Sequence, residues 1–143
     1  MPFVTEHETF SGRCFYGAVR WQGKGPVIWA GHCDCDSRRR ACFAVFSSGI
    51  GLPRQSATWQ GAPRLYCSAN DVERGFCSRR GMPLFHESVR RPLETDFCAV
   101  GLDHPEQFVP QAHYHYEERQ SWITASDGLL KYRAGNETPA DRM

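Results

Sequence analysis

No apolar run in this sequence approaches the roughly 18 residues a membrane-spanning helix needs, so no helical span is expected. Neither sign of charge dominates. Seventeen Lys and Arg against 16 Asp and Glu leave a formal net charge of +1, which gives no global pull toward nucleic acid or an anionic membrane. Several standard catalytic signatures are missing: there is no GxSxG, P-loop, GxGxxG or HExxH pattern. The start, Met1-Pro2-Phe3-Val4-Thr5-Glu6, has neither a basic nor an apolar leader character, so no signal peptide is expected. The cysteines number 7, and an odd count argues against a closed disulfide framework. In a reducing cytoplasm, the expected location, they would be thiols, metal ligands or core residues. Asn136-Glu137-Thr138 fits a glycosylation acceptor pattern, but without a secretion signal it is read as a chance match.

What is present favours short strands and turns. Aromatics make up 13% of the chain, with 13 glycines and 9 prolines, a composition that suits a mainly β protein. The length fits one domain over residues 1–143. Strands are expected at Ala18 to Trp21, Val27 to Ala30, Cys42 to Phe46, Ala57 to Trp59, Arg64 to Ser68, Val72 to Phe76, Thr95 to Val100 and Ala112 to Tyr116. Ser37 to Ala41 reads as one helical turn, and Ser47 to Pro53, with two glycines and a proline, as a loop. Basic residues cluster at Arg38 to Arg40 and at Arg79-Arg80.

The stretch Gly31-His32-Cys33-Asp34-Cys35-Asp36-Ser37-Arg38 carries the densest chemistry. In extended backbone, alternate side chains share a face, so Cys33 and Cys35 can aim at one point. Two thiols are half of a zinc site, which takes four ligands, or three and a water. His32 could hold either sulfur as thiolate. Cys42, Cys67 and Cys98 sit in apolar strand contexts, where buried structural thiols are expected. His113 and His115 would share one strand face, where they could serve a metal or stand as a partly exposed edge pair.

Four pieces in order carry a resemblance: Gly12-Arg13-Cys14-Phe15-Tyr16-Gly17, then His32-Cys33-Asp34-Cys35, then Phe76-Cys77-Ser78-Arg79-Arg80-Gly81-Met82-Pro83-Leu84, then Ser121-Trp122-Ile123 with Asp127-Gly128-Leu129 and Tyr132. They resemble the glutathione-dependent formaldehyde-activating enzyme family, which includes centromere protein V. Its pattern is G-x-C-x-C-G-x-V, C-x-C-x-x-C-R, F-C-x-x-C-G-x-P-L, and a late W and D-G-L. The likeness runs from about residue 10 to about residue 133, with a polar tail over 134–143. It implies an Mss4-like fold of mostly antiparallel sheets meeting at a zinc site. It also implies two zincs. One is structural, held by the first C-x-C and the third motif's C-x-x-C; the other is more exposed, held by the middle motif and linked to chemistry. Enzyme-type members are described as carbon–sulfur lyases acting on the glutathione–formaldehyde adduct.

Each cluster here lacks its last cysteine. Tyr16, Arg38 and Arg80 stand in those places, and an arginine has no lone pair to give a metal. Cys14 and Cys77 are then a remnant of the structural site, expected to be empty. Zinc at Cys33 and Cys35 would need Asp34, Asp36, His32 or a distant histidine, so zinc is expected below the family's stoichiometry. Tyr16 and Arg80 are expected to face each other in a cation–π contact. Cys14 and Cys77 are expected as neighbouring reduced thiols, with a disulfide as the alternative under oxidation. Arg38 could clamp a carboxylate or phosphate, or point to solvent beside Arg39 and Arg40. The candidate catalytic residues are Cys33, Cys35, Arg38 and His32. Three functions remain open: a lyase on a glutathione or other thiol adduct with a metal kept at Cys33 and Cys35; a metal-free pocket that binds or transforms a small anionic ligand; and a non-catalytic interaction domain.

Overall fold

The computed structural model describes residues 8–135 and 140–141. Residues 1–7 and most of the expected polar tail, with the Asn136-Glu137-Thr138 sequon, lie outside the described residues. In chain order the elements are β1 (Thr9–Arg13), β2 (Arg20–Lys24), β3 (Trp29–Cys33), α1 (Asp36–Cys42), β4 (Ser47–Pro53), β5 (Thr58–Gln60), β6 (Arg64–Ala69), β7 (Val72–Phe76), β8 (Pro83–Ser88), β9 (Glu94–Cys98), β10 (Ala112–Tyr114), β11 (Leu130–Tyr132) and β12 (Ala140–Asp141). The fold is mainly β, as the composition and the resemblance imply. The chain gathers into two compact units: residues 1–29 with 50–108, and residues 30–49 with 109–143.

The first unit holds an antiparallel sheet in the order β1-β2-β5, and the run β4-β9-β8-β7-β6, to which β4 gives its Ile50–Pro53 half. β2 shows why these residues make a strand: Arg20, Gln22 and Lys24 face water while Trp21 faces inward. Phe10, Trp21, Leu52 and Phe97 form the centre of this unit's core, all 2% exposed or less. Trp21 stacks on Phe97 at 3.8 Å between ring centroids. Gly51 is required by close approach, since a Cβ there would lie 2.3 Å from the Trp29 indole. That indole donates to Glu94 Oε2 at 2.9 Å and Asp96 Oδ1 at 2.8 Å.

The second unit holds α1 and strands in the order β12-β11-β10-β3-β4, with β3 from Ala30 and β4 from Ser47–Gly49. β10 runs parallel to both of its neighbours, β3 and β11, so the sheet is mixed rather than uniformly antiparallel. The register sets Ala112 opposite Gly31, His113 opposite His32 and Tyr114 opposite Cys33. Gly31 permits this approach: a Cβ would fall 2.5 Å from the Ala112 carbonyl oxygen.

Several local expectations are corrected. Cys42 to Phe46 is not a strand: Cys42 ends α1, and Phe43 is its C-cap at φ 53° and fully exposed. Helical hydrogen bonding reaches on to Ala44 N–H, which donates to the Arg39 carbonyl at 3.2 Å. Ser47–Pro53, read as a loop, is β4. Gly51 serves close packing there rather than turning. The expected strand over Ala112 to Tyr116 stops at Tyr114, because His115 takes a left-handed φ of 55° and Tyr116 opens a short 3₁₀ turn. His113 and His115 therefore share no strand face. Cys42 and Cys98 are half-buried and Cys67 is exposed, not buried as expected. Cys67 lies on β6, a strand exposed along its whole length.

Candidate functional site

Cys33 ends β3, and Cys35, with extended dihedrals (φ −66°, ψ 150°), precedes α1. Extended backbone sends alternate side chains to one side. The Cys33 thiol donates to Cys35 Sγ at 3.3 Å, and the Ser37 hydroxyl lies 3.5 Å from Cys35 Sγ. The pair divides its protons unequally. The hydrogen bond from Cys33 brings the Cys35 thiol down to about 5; burial opposes this, and Ser37, the Arg38 amide and the Arg38 charge assist it. The same hydrogen bond, with burial, pushes the Cys33 thiol up against the Arg38 charge. The hydrogen bond thus favours the proton on Cys33 and the negative charge on the less buried Cys35.

Arg38 is half-buried and acts on both sulfurs through its charge. Its neighbours have other work. Arg39 Nε donates to the Asp34 carbonyl at 2.9 Å and Nη2 to the Glu118 carbonyl at 3.0 Å. Arg40 pairs with Asp36 at 3.0 Å.

Asp34 turns the other way from the thiols and is fully buried. Its Oδ2 lies 3.0 Å from His113 Nδ1, while His113 Nε2 lies 2.8 Å from Asp127 Oδ2. His113 is itself fully buried. Burial alone would lower its pKa, but the two carboxylates outweigh that and raise it. His32 bonds through Nδ1 to Ser48 Oγ at 2.8 Å and stands 4.9 Å from His113 between ring centroids. Burial first, then the charge of His113, lowers the pKa of His32. The structure thus brings together Cys33, Cys35 and Arg38, and carries His32 into a neighbouring histidine–carboxylate cluster. Of the expected auxiliary metal ligands, Asp34 pairs with His113, and Asp36 with Arg39 and Arg40.

The remnant site lies in the first unit. Cys14 and Cys77 are reduced and 1% exposed each. Burial would raise the Cys14 thiol, but hydrogen bonds from Val19 N–H at 3.3 Å, from the Cys77 thiol, and from the Tyr16 and Gly17 amides lower it instead. The loops turn through Gly17 at φ 77° and Gly81 at φ 74°, conformations glycine adopts without strain. Over them the Arg80 guanidinium sits 4.6 Å from the Tyr16 ring centroid, the contact expected from the sequence.

His113, Asp34 and Asp127 are the residues that sequence reasoning places least well. Asp127 stands in the Asp127-Gly128-Leu129 motif without a role, and the spacing of His113 pairs it with the wrong histidine. Only the register of β10 on β3 reveals that His32 is its neighbour.

The same mainly β fold occurs in a crystal structure of a protein from Rhodobacter sphaeroides. It aligns with a TM-score of 0.56 at 20% identity, covering 67% of this chain and 92% of that one. No curated protein matches the sequence. The family model for the glutathione-dependent formaldehyde-activating enzyme matches residues 9–118, and the chain belongs to that family. The family is typically zinc-binding. Zinc takes four ligands, or three and a water, and each of the two cysteine pairs here offers two sulfurs, with Arg38 or the Tyr16–Arg80 pair at the family pattern's remaining cysteine positions.

Proposed function

We propose that this chain makes or breaks the carbon–sulfur bond of an anionic thiol adduct of the glutathione type, using Cys35 as the base. The observation that carries this reading is the 3.3 Å hydrogen bond from Cys33 to Cys35, which favours the Cys35 thiolate, with the Arg38 charge acting on the same sulfur. In a hemithioacetal, R–S–CH₂–OH, the Cys35 thiolate takes the hydroxyl proton. The oxygen electron pair becomes the carbonyl bond of formaldehyde, and the carbon–sulfur pair leaves on the departing sulfur. The Arg38 charge favours that thiolate. The proton then passes from Cys35 to the departing sulfur, so the net change is adduct to thiol and aldehyde. The reverse order makes the adduct. No step is routed through zinc at the thiols, where two sulfurs are fewer donors than the ion takes. His32 has no step either: strand alternation turns it from Cys33.

A groove of about 550 Å³ supports the anionic part of the reading. Arg39, Arg40, Phe43 and Trp122 line it, and α1, which begins directly after Cys35, carries Arg39 and Arg40. From Cys35 to Arg40 along the helix is about 7.5 Å, a span that suits a carboxylate-bearing thiol.

The test is NMR exchange of glutathione and formaldehyde with the full chain in chelator. Wild type is expected to accelerate exchange, Cys35→Ser to lose roughly 10²-fold, and Arg40→Ala to raise KM. Equal rates for wild type and Cys35→Ser, or loss of wild-type activity in chelator, would count against the reading.

A further inference from the structure

We infer that His32, His113 and Asp127 form a binding site for one divalent first-row transition ion, built from nitrogen and oxygen donors and independent of the thiols. One ligand atom from each of the three residues lies within 4.8 Å of the others. They come from three elements. His32 and His113 face each other in the register of β3 and β10. Asp127 sits in the turn before β11, where its Oδ1 accepts the Leu129 N–H at 3.1 Å and its Oδ2 lies 2.8 Å from His113 Nε2.

The supports behind these atoms are those a metal centre uses. A ligating histidine usually donates its other ring N–H to a carboxylate or hydroxyl, which fixes ring orientation and tautomer. His113 Nδ1 has Asp34 Oδ2 at 3.0 Å, and His32 Nδ1 has Ser48 Oγ at 2.8 Å. That assigns Nε2 of each ring to the ion. Phe46 packs against both rings, at 4.6 Å from His32 and 5.4 Å from His113 between centroids, so neither swings easily.

A second observation is independent of the ligand geometry. Asp34 is 0% exposed, and its Oδ1 has no hydrogen-bond partner among the described residues. A buried carboxylate oxygen left in that state is costly. A cation on the far side of His113 would offset both this carboxylate and that of Asp127. Two imidazoles and a carboxylate suit zinc, iron(II) or cobalt(II) rather than magnesium or calcium. The Asp127 side chain is 39% exposed, so the ion's remaining positions open toward solvent, as in catalytic rather than structural centres.

The test uses cobalt(II), then zinc(II) in competition, on the full chain carrying Cys33→Ser and Cys35→Ser. The expected result is one equivalent bound, with visible d–d bands and no sulfur-to-cobalt charge-transfer band. Asp127→Asn, in an exposed turn, is expected to weaken binding at least tenfold, and Asp34→Asn by about 10–100-fold. Thermal melting in chelator establishes that each variant is folded. Absence of d–d bands in the Cys33→Ser, Cys35→Ser variant, or equal affinity after Asp127→Asn, would overturn the assignment.

Discussion

At the scale of single residues, the uneven thiol pair has a direct signature. Cys35 is held near 5 by the Cys33 hydrogen bond, so its alkylation by iodoacetamide should reach a plateau well below neutral pH. Cys33→Ala removes the first cause of that shift and should move the midpoint upward, toward the ordinary thiol value of about 8.5. An unchanged midpoint in Cys33→Ala would place the cause elsewhere. Phe43 offers a second test. It caps α1 at φ 53° with its ring fully in solvent, so it carries left-handed strain with no packing to offset it. Phe43→Gly should stabilise the fold by about 1 kcal/mol in chemical denaturation. The same change should weaken adduct binding, since Phe43 lines the groove.

At the scale of elements, the two turns around Cys14 and Cys77 place Tyr16 and Arg80 at the positions where the family pattern has further cysteines. Gly17 and Gly81 keep their left-handed conformations, and amides still point at Cys14 Sγ. Replacing Tyr16 and Arg80 together by cysteine should therefore restore a four-thiolate cage. Elemental analysis is expected to show one added zinc per chain, with a melting temperature that falls on chelation. Failure of that double variant to gain zinc would show that the turns have drifted apart. The elements also show what the residues disclose and what they hide. The alternation of Trp21 with Arg20 and Gln22 is legible as β2, and Cys33 and Cys35 are legible as a pair, because both facts are local. Ser47–Pro53 is not legible: Gly49 and Gly51 mark loops and tightly packed strands alike, and only the Trp29 indole against Gly51 decides between them. His113 is misread for the same reason. Its partner is set by strand register, which no neighbouring residue encodes.

At the scale of the molecule, one buried acid makes stability depend on pH. Burial, then the hydrogen bond and charge of Asp96, push Glu94 up to about 8 from 4.5, against Arg91 and the Trp29 indole. Between those values the folded chain keeps a proton that the unfolded chain has released. Stability from this group is thus fully present at low pH and is lost as pH rises toward 8. Glu94→Gln keeps a neutral side chain there and should flatten the decline, with a gain of about 1–3 kcal/mol at pH 8. Melting curves from pH 5 to 8 on both proteins measure this, and parallel curves would assign the decline to another group. The mainly β character, by contrast, is legible from the aromatics, glycines and prolines alone. They set how short the segments are, without saying which of them run parallel.

The two imidazoles meet because they occupy facing rungs of a ladder, not because of anything adjacent to either in the chain. Lengthening the connections on either side leaves that alignment intact so long as β10 enters in the same phase. Deleting one residue at Gln111 or Ala112 would rotate His113 to the opposite side of the sheet. Loop length is therefore open to drift across related sequences, while the spacing just before His113 is not.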